Sequence, residues 1–143
     1  MVIDASALLA ILLGEPEAEA FARAIANDPK RLVGALSALE AAIVLHARKG
    51  SAGVRELDLL LHAGRVTVVS LDADQVQLAR TAYEKFGRGR HPAALNLGDC
   101  CSYALARASG EPLLFKGNDF SQTDLASSRQ LPEPVGSGGG SRD

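Results

Sequence analysis

The chain has only two cysteines, Cys100 and Cys101, and they are adjacent. Neighbouring thiols in a helical pattern offer neither a disulfide framework nor the spaced ligands of a zinc site, so buried thiols in a reducing compartment are expected. No basic segment with an apolar core and cleavage site precedes the first acidic residue. No apolar run approaches the roughly 20 residues that span a bilayer. A cytoplasmic protein with no membrane partner is the corresponding expectation. A net positive charge is also lacking. A formal net charge of −2 gives no general attraction to nucleic acid, so such a role needs basic residues gathered locally. There is no Gly-x-x-x-x-Gly-Lys-Ser/Thr loop, and Gly87-Arg88-Gly89 runs into a Pro-containing loop instead of joining strand to helix, which speaks against the usual nucleotide folds. His46, His62 and His91 lack metal-ligand spacing, and the first two are expected on partly exposed helix faces.

What is present suits one globular domain: 143 residues, 47% of them hydrophobic, are enough for a sizeable core. The stretch that organises the rest is Met1-Val2-Ile3-Asp4-Ala5-Ser6, a short apolar strand that ends on an acid before the apolar run from Ala7 to Leu12. A carboxylate at that junction points into the crevice where open α/β sheets bind ligands, and it is equally a good helix N-cap. Strands then alternate with helices. Strands are read at Arg31 to Leu36, Val66 to Val69 and Pro112 to Phe115, with a weaker edge strand over Leu125 to Leu131. Helices are read from Pro16, from Ser37 to Gly50, from Val54 to Ala63, from Asp72 to Phe86 and from Asn96 to Gly110. This alternation predicts a three-layer α/β/α domain over residues 1–131 about a central, mostly parallel sheet. Residues 132–143, rich in Gly and Ser, are expected to be a disordered tail.

Four acids fall at comparable places: Asp4 after the first strand, Glu40 and Asp99 early in helices, and Asp119 after a later strand. Turns after parallel strands lie at one end of the sheet, so these side chains can converge. Converged carboxylates raise one another's pKa unless a divalent cation neutralises them, and an all-oxygen set favours magnesium or manganese. Each acid also has a local explanation. Ser37-x-x-Glu40 matches a capping box, Asp99 complements a helix dipole, and Asn118-Asp119 is ordinary turn chemistry. Ser6 and Asn96 fit the pocket rim or a cap. The basic, flexible loop Gly87 to Pro92 is the expected polyanion contact. Arg88 and Arg90, with Lys85 and Lys116, are the candidates to hold a phosphate backbone.

The opening Val2-Ile3-Asp4-Ala5-Ser6, the early-helix Glu40, Leu95-Asn96-Leu97-Gly98-Asp99-Cys100 and Leu113-Leu114-Phe115-Lys116-Gly117-Asn118-Asp119-Phe120 resemble, in order and spacing, the VapC toxins of the PIN-domain ribonucleases. The resemblance runs from Met1 to about Leu125. It implies a PIN-like fold and a magnesium- or manganese-dependent endoribonuclease, homodimeric and inhibited by a cognate VapB antitoxin. It also implies a catalytic set of Asp4, Glu40, Asp99 and Asp119, with Asp4, Asp99 and Asp119 as metal ligands and Thr123-Asp124 at the site edge. Family members usually finish with an apolar strand, whereas this chain is polar after Leu125. Two rivals stand beside the RNA-cleaving reading. One is a phosphatase with Asp4 as nucleophile, weakened because residue 6 is Ser6 and not a second acid. The other is a binding module whose acids only cap helices.

Overall fold

The computed structural model describes residues 1–125; the expected edge strand over Leu125 to Leu131 and the Gly/Ser-rich tail lie outside the described residues. In chain order the elements are β1 (Val2–Ile3), α1 (Ala5–Leu12), α2 (Ala18–Asn27), β2 (Leu32–Gly34), α3 (Ala35–Ala63), β3 (Thr67–Val69), α4 (Ala73–Phe86), α5 (Leu97–Ser109) and β4 (Leu113–Leu114), followed by a 3-10 turn, Phe120–Gln122. The four strands form one sheet in the order β3-β2-β1-β4, and every pairing is parallel. Five helices flank that sheet, giving the three layers that strand–helix alternation predicts.

The strands are only two or three residues long, yet their side chains alternate as pleating requires. Val2 and Leu113 face one core with Tyr103, Leu105 and Phe120. Ile3, Val33 and Leu114 face the other with Leu8, Phe21 and Leu45. Helices α1, α2 and α3 cover the second face and α4 and α5 the first. Burial of both faces explains why β1 and β4 contain only apolar residues. Strand β3 lies at a sheet edge with Thr67 and Val68 exposed, so its β-branched sequence identifies a strand without making it a core strand. The Met1 ammonium group anchors the start of β1, donating to Asp28 Oδ1 at 3.2 Å and to Glu111 Oε2 at 2.9 Å.

The second strand and the helix after it differ from expectation. Strand β2 stops at Gly34, and α3 begins at Ala35 with Gly34 as N-cap and no side-chain cap bond, so Ser37 and Glu40 form no capping box. Ser37 is instead buried and bonded to Ser102. The two helices expected on either side of Gly50 follow one another without a connecting loop, and α3 is kinked where Gly50 takes the non-helical φ +63° and ψ −154°, a conformation suited to glycine. The capping box of this protein is built by Asn96 and Asp99 at the start of α5. Cys100 and Cys101 are buried free thiols, and His46 and His62 are exposed on α3.

Candidate active site

Because all strands run parallel, the ends of β1, β2 and β4 open on the same side of the sheet, and the acids stand there. Asp4 is the N-cap of α1, so the capping and pocket readings hold together. Its Oδ2 accepts from the Ser6 amide at 3.1 Å and the Ser6 hydroxyl at 2.7 Å. Its Oδ1 accepts from the Ser102 hydroxyl. Ser6 is in turn tied to the end of β4, its Oγ accepting from the Lys116 amide at 3.0 Å. A carboxylate that is 6% exposed stays in place only when its oxygens are partnered, and three donors meet that need here.

Glu40 projects from the second turn of α3 against the start of α5. The contact is with Gly98, where any side chain would run into the Glu40 carboxylate. Burial, and next the charge of Asp4, raise the Glu40 pKa. Asp99 takes its capping-box bond from the Asn96 amide at 3.0 Å. Its pKa is pushed up to about 6, first by burial and then by the charges of Asp4, Asp119 and Glu40, against the lowering effect of that amide. Asp119 is exposed in the turn after β4 and caps no helix with its side chain. Thus Asp99 lies within electrostatic reach of all three other acids. Among the described residues, however, no three His, Cys, Asp or Glu side chains are gathered closely enough to hold an ion as they stand.

The remaining candidates divide. Asn96 is a cap, and Thr123 accepts from the Leu125 amide and donates to the Phe120 carbonyl, which makes it a turn residue. Asp124 accepts from the Tyr103 hydroxyl; burial, followed by that bond, pushes the Tyr103 pKa up to about 12. Lys116 forms ion pairs with Glu15 and Glu17, so its charge is largely offset. Lys85 and Arg88 are exposed, while Arg90 lies over the Tyr83 ring at 5.7 Å. The loop that carries the two arginines is not the open connection expected. The Arg88 amide donates to the Leu95 carbonyl at 3.0 Å, the Leu95 amide to that of Phe86 at 2.9 Å, and the His91 amide to that of Gly87 at 3.1 Å. Beside it, between α4 and α5, lies an apolar groove of about 540 Å³ lined by residues that include Leu71, Val76, Tyr83 and Leu97. Sequence reasoning took Ser37 for a cap, met Gly98 only inside a motif and did not find Ser102. The only local signal was their position, three residues before Glu40, one before Asp99 and three after Asp99.

Residues 1–125 match the model of the PIN domain family. The chain is also 57% identical over 126 residues to a Ribonuclease VapC from Mycolicibacterium smegmatis, a match that covers 88% of this chain and 98% of that protein. The chain belongs to the VapC ribonuclease family of PIN domains. Ribonuclease VapC30 from Mycobacterium tuberculosis is 56% identical over 126 residues, with 88% of this chain and 96% of that protein covered. The crystal structure of Mycobacterium tuberculosis VapC20, a toxin that cleaves the sarcin-ricin loop, superposes with a TM-score of 0.69 at 20% identity over 84% of this chain and 92% of that one. A toxin–antitoxin complex from Klebsiella pneumoniae gives 0.67 at 14% identity over 86% and 92%. These two likenesses bear on the fold alone. Among the described residues, no helix of this VapC-family chain is long and apolar enough to cross a membrane.

Burial and crowding of charge around Asp99 in this PIN domain have a measurable consequence. The Asp99 pKa is raised above its ordinary 3.8. The stability it contributes is therefore present below about pH 4 and lost as pH rises through about 6. Asp99→Asn, which has no charge to bury, is expected to make the metal-free protein more stable than wild type near neutral pH. It is also expected to flatten the fall in stability between those values. Urea midpoints measured across that range check this; equal slopes for the two proteins would refute it.

Proposed function

We propose that this VapC-family chain is an endoribonuclease that hydrolyses RNA phosphodiester bonds with magnesium, or manganese in its place, held by Asp4, Asp99 and Asp119 with Glu40 completing the acidic set. The observation that carries this reading is the Asp99 carboxyl, half-buried and destabilised by the charges of Asp4, Asp119 and Glu40 together. A fold tolerates such mutual repulsion where a cation is to be bound. The donor chemistry fits that cation, because carboxylate and hydroxyl oxygens are the ligands hard divalent ions prefer. When bound, the ion supplies an activated water and offsets the negative charge that develops on the phosphorus centre.

The protein's own part is placement. Ser6 and Ser102 fix the Asp4 carboxylate, and the capping box fixes Asp99 at the head of α5. Glu40 is held half-buried beside Gly98. Arg88 and Lys85, exposed after and within the last turn of α4, supply phosphate contacts with Arg90 beside them. Lys116 contributes less, because Glu15 and Glu17 already engage it. The phosphatase reading loses ground, since residue 6 is a serine and no second acid stands there to protonate a leaving group. The partners implied are a VapB-type antitoxin and a second copy of the chain. Helix α1 buries Ala7, Leu8 and Ala10 in the core and leaves Leu9, Ile11 and Leu12 half-buried. Leu39, Ile43 and Leu97 are 55%, 60% and 73% exposed on the two helices that bear Glu40 and Asp99, an apolar surface of the kind partners cover.

The test is incubation of the purified chain with a single-stranded RNA in magnesium or manganese, with and without a chelator. Internal cleavage that needs the ion is expected, with no phosphate released from a small phosphomonoester. RNA left intact with both ions would refute the assignment, and cleavage unaffected by the chelator would refute its metal dependence.

A further inference from the structure

Behind the Ser102 hydroxyl that holds Asp4 lies a second buried serine, Ser37, which has no part in the reading above. Ser37 and Ser102 are each 1% exposed. Their hydroxyl oxygens are 3.0 Å apart, and the Ser102 hydroxyl donates to Asp4 Oδ1. A serine hydroxyl has one proton to give. Ser102 gives its proton to Asp4, so in its bond with Ser37 it accepts. The order is therefore fixed, from Ser37 to Ser102 to Asp4, and each bond polarises the next in a site shielded from water.

Their places in the helices matter as much as the bonds. Ser37 precedes Glu40 by three residues on α3, and Ser102 follows Asp99 by three on α5. Residues three apart share a helix face. The two hydroxyls thus join, one turn from each acid, the helices that carry Glu40 and Asp99, and fasten both to the end of β1. Close approach of α3 to α5 is visible again at Gly98, which leaves no room for a side chain beside Glu40.

We propose that Ser37 and Ser102 are positioning residues that hold Asp4 Oδ1 in its orientation and set the spacing of the Asp4, Glu40 and Asp99 carboxylates toward the cation. This rests on the ribonuclease reading above. Groups that orient the ligands of an ion typically change its affinity or the activity by about 10–100-fold when removed. A pair of buried hydroxyls that merely satisfies itself would change stability alone.

The experiment compares Ser102→Ala, Ser102→Thr, Ser37→Ala and the double alanine variant as full chains. Three quantities are read: manganese affinity by calorimetry, RNA turnover, and the carbon-13 signal of the Asp4 carboxyl in metal-free protein. Ser102→Ala is expected to weaken manganese binding and slow turnover by about 10-fold or more, and to move the Asp4 signal. Ser102→Thr keeps the hydroxyl and largely restores all three readouts, even if its extra methyl lowers the melting temperature. Ser37→Ala has a smaller effect because Asp4 keeps the Ser102 proton, and the double variant is no worse than Ser102→Ala. A Ser102→Ala protein with wild-type manganese affinity, turnover and Asp4 signal overturns the proposal, whatever its stability. Should that variant fail to fold, Ser37→Ala decides by the same readouts, and an unmoved Asp4 signal overturns the relay. If the wild-type chain cleaves no RNA, the ribonuclease reading fails, and the Asp4 signal still decides the relay.

Discussion

Asp4→Asn is expected to end RNA cleavage while leaving the protein folded and about as stable as before. Loss of a metal ligand, the role proposed for Asp4, should exceed the roughly 10–100-fold drop typical of removing only a ligand's supporting partners, so turnover should fall by more than about 100-fold. Stability survives for two local reasons. Asparagine caps a helix as well as aspartate, so the amide of Ser6 keeps an acceptor. The amide nitrogen then faces Ser102, whose hydroxyl can turn, accept from it and donate toward Ser37. Removing the Asp4 charge also relieves Glu40 and Asp99, both of which it raises. Asp4→Ala is the less useful variant, because it loses a cap worth about 1 kcal/mol and strands the Ser6 and Ser102 donors. Cleavage assays run beside thermal denaturation separate the two effects. Turnover retained within a few fold in a folded Asp4→Asn protein would remove Asp4 from the chemistry.

The second large effect is expected from a single methyl group. Gly98 lies in the first turn of α5, where a β-carbon would overlap the Glu40 carboxylate. Those atoms are the far end of a flexible side chain, so the fold can answer Gly98→Ala by swinging Glu40 aside instead of parting α3 from α5. The stability cost should therefore fall at or below the low end of the about 1–3 kcal/mol that overpacking usually exacts. Activity has no such escape, since displacement of a reacting group by about 1 Å can cost about 100-fold. The expected result is a folded protein with turnover down by that order. If both are kept, Glu40 needs no fixed position; if both are lost, Gly98 serves the packing of the two helices.

The general plan was legible because it rests on local rules. Val2-Ile3, Leu32-Val33 and Leu113-Leu114 are apolar pairs too short to identify as strands by length, but each is followed by a turn or helix start, and that alternation sufficed. Misplacement of the capping box shows where local rules stop. Ser37-x-x-Glu40 fits the pattern, yet β2 ends at Gly34 and α3 begins immediately, which leaves Ser37 inside the helix. Asn96-x-x-Asp99 forms the real box with the shorter acid. What the sequence hid was tertiary. Ser102 reaches Asp4 across 98 positions and Lys116 reaches Glu15 across 101, and no spacing rule links such residues. The same is true of Gly98, whose lack of a side chain has meaning only beside Glu40. The Gly87 to Pro92 loop looked open because Gly and Arg are common in loops, but its main-chain bonds to Phe86 and Leu95 close it.

The two apolar cores meet at very little backbone. Val2 belongs to one and Ile3 to the other, and the next residue is Asp4, whose amide donates to the Leu114 carbonyl at 2.9 Å. Neither helical layer can detach without loosening the strand that carries the acid. Partial opening therefore has no route that spares the site, and the Asp4 amide should exchange its hydrogen only when the whole domain unfolds. A substitution deep in either layer, far from any carboxylate, lowers that barrier as surely as one in the pocket. The acid at the strand end thus reports on the integrity of the entire domain.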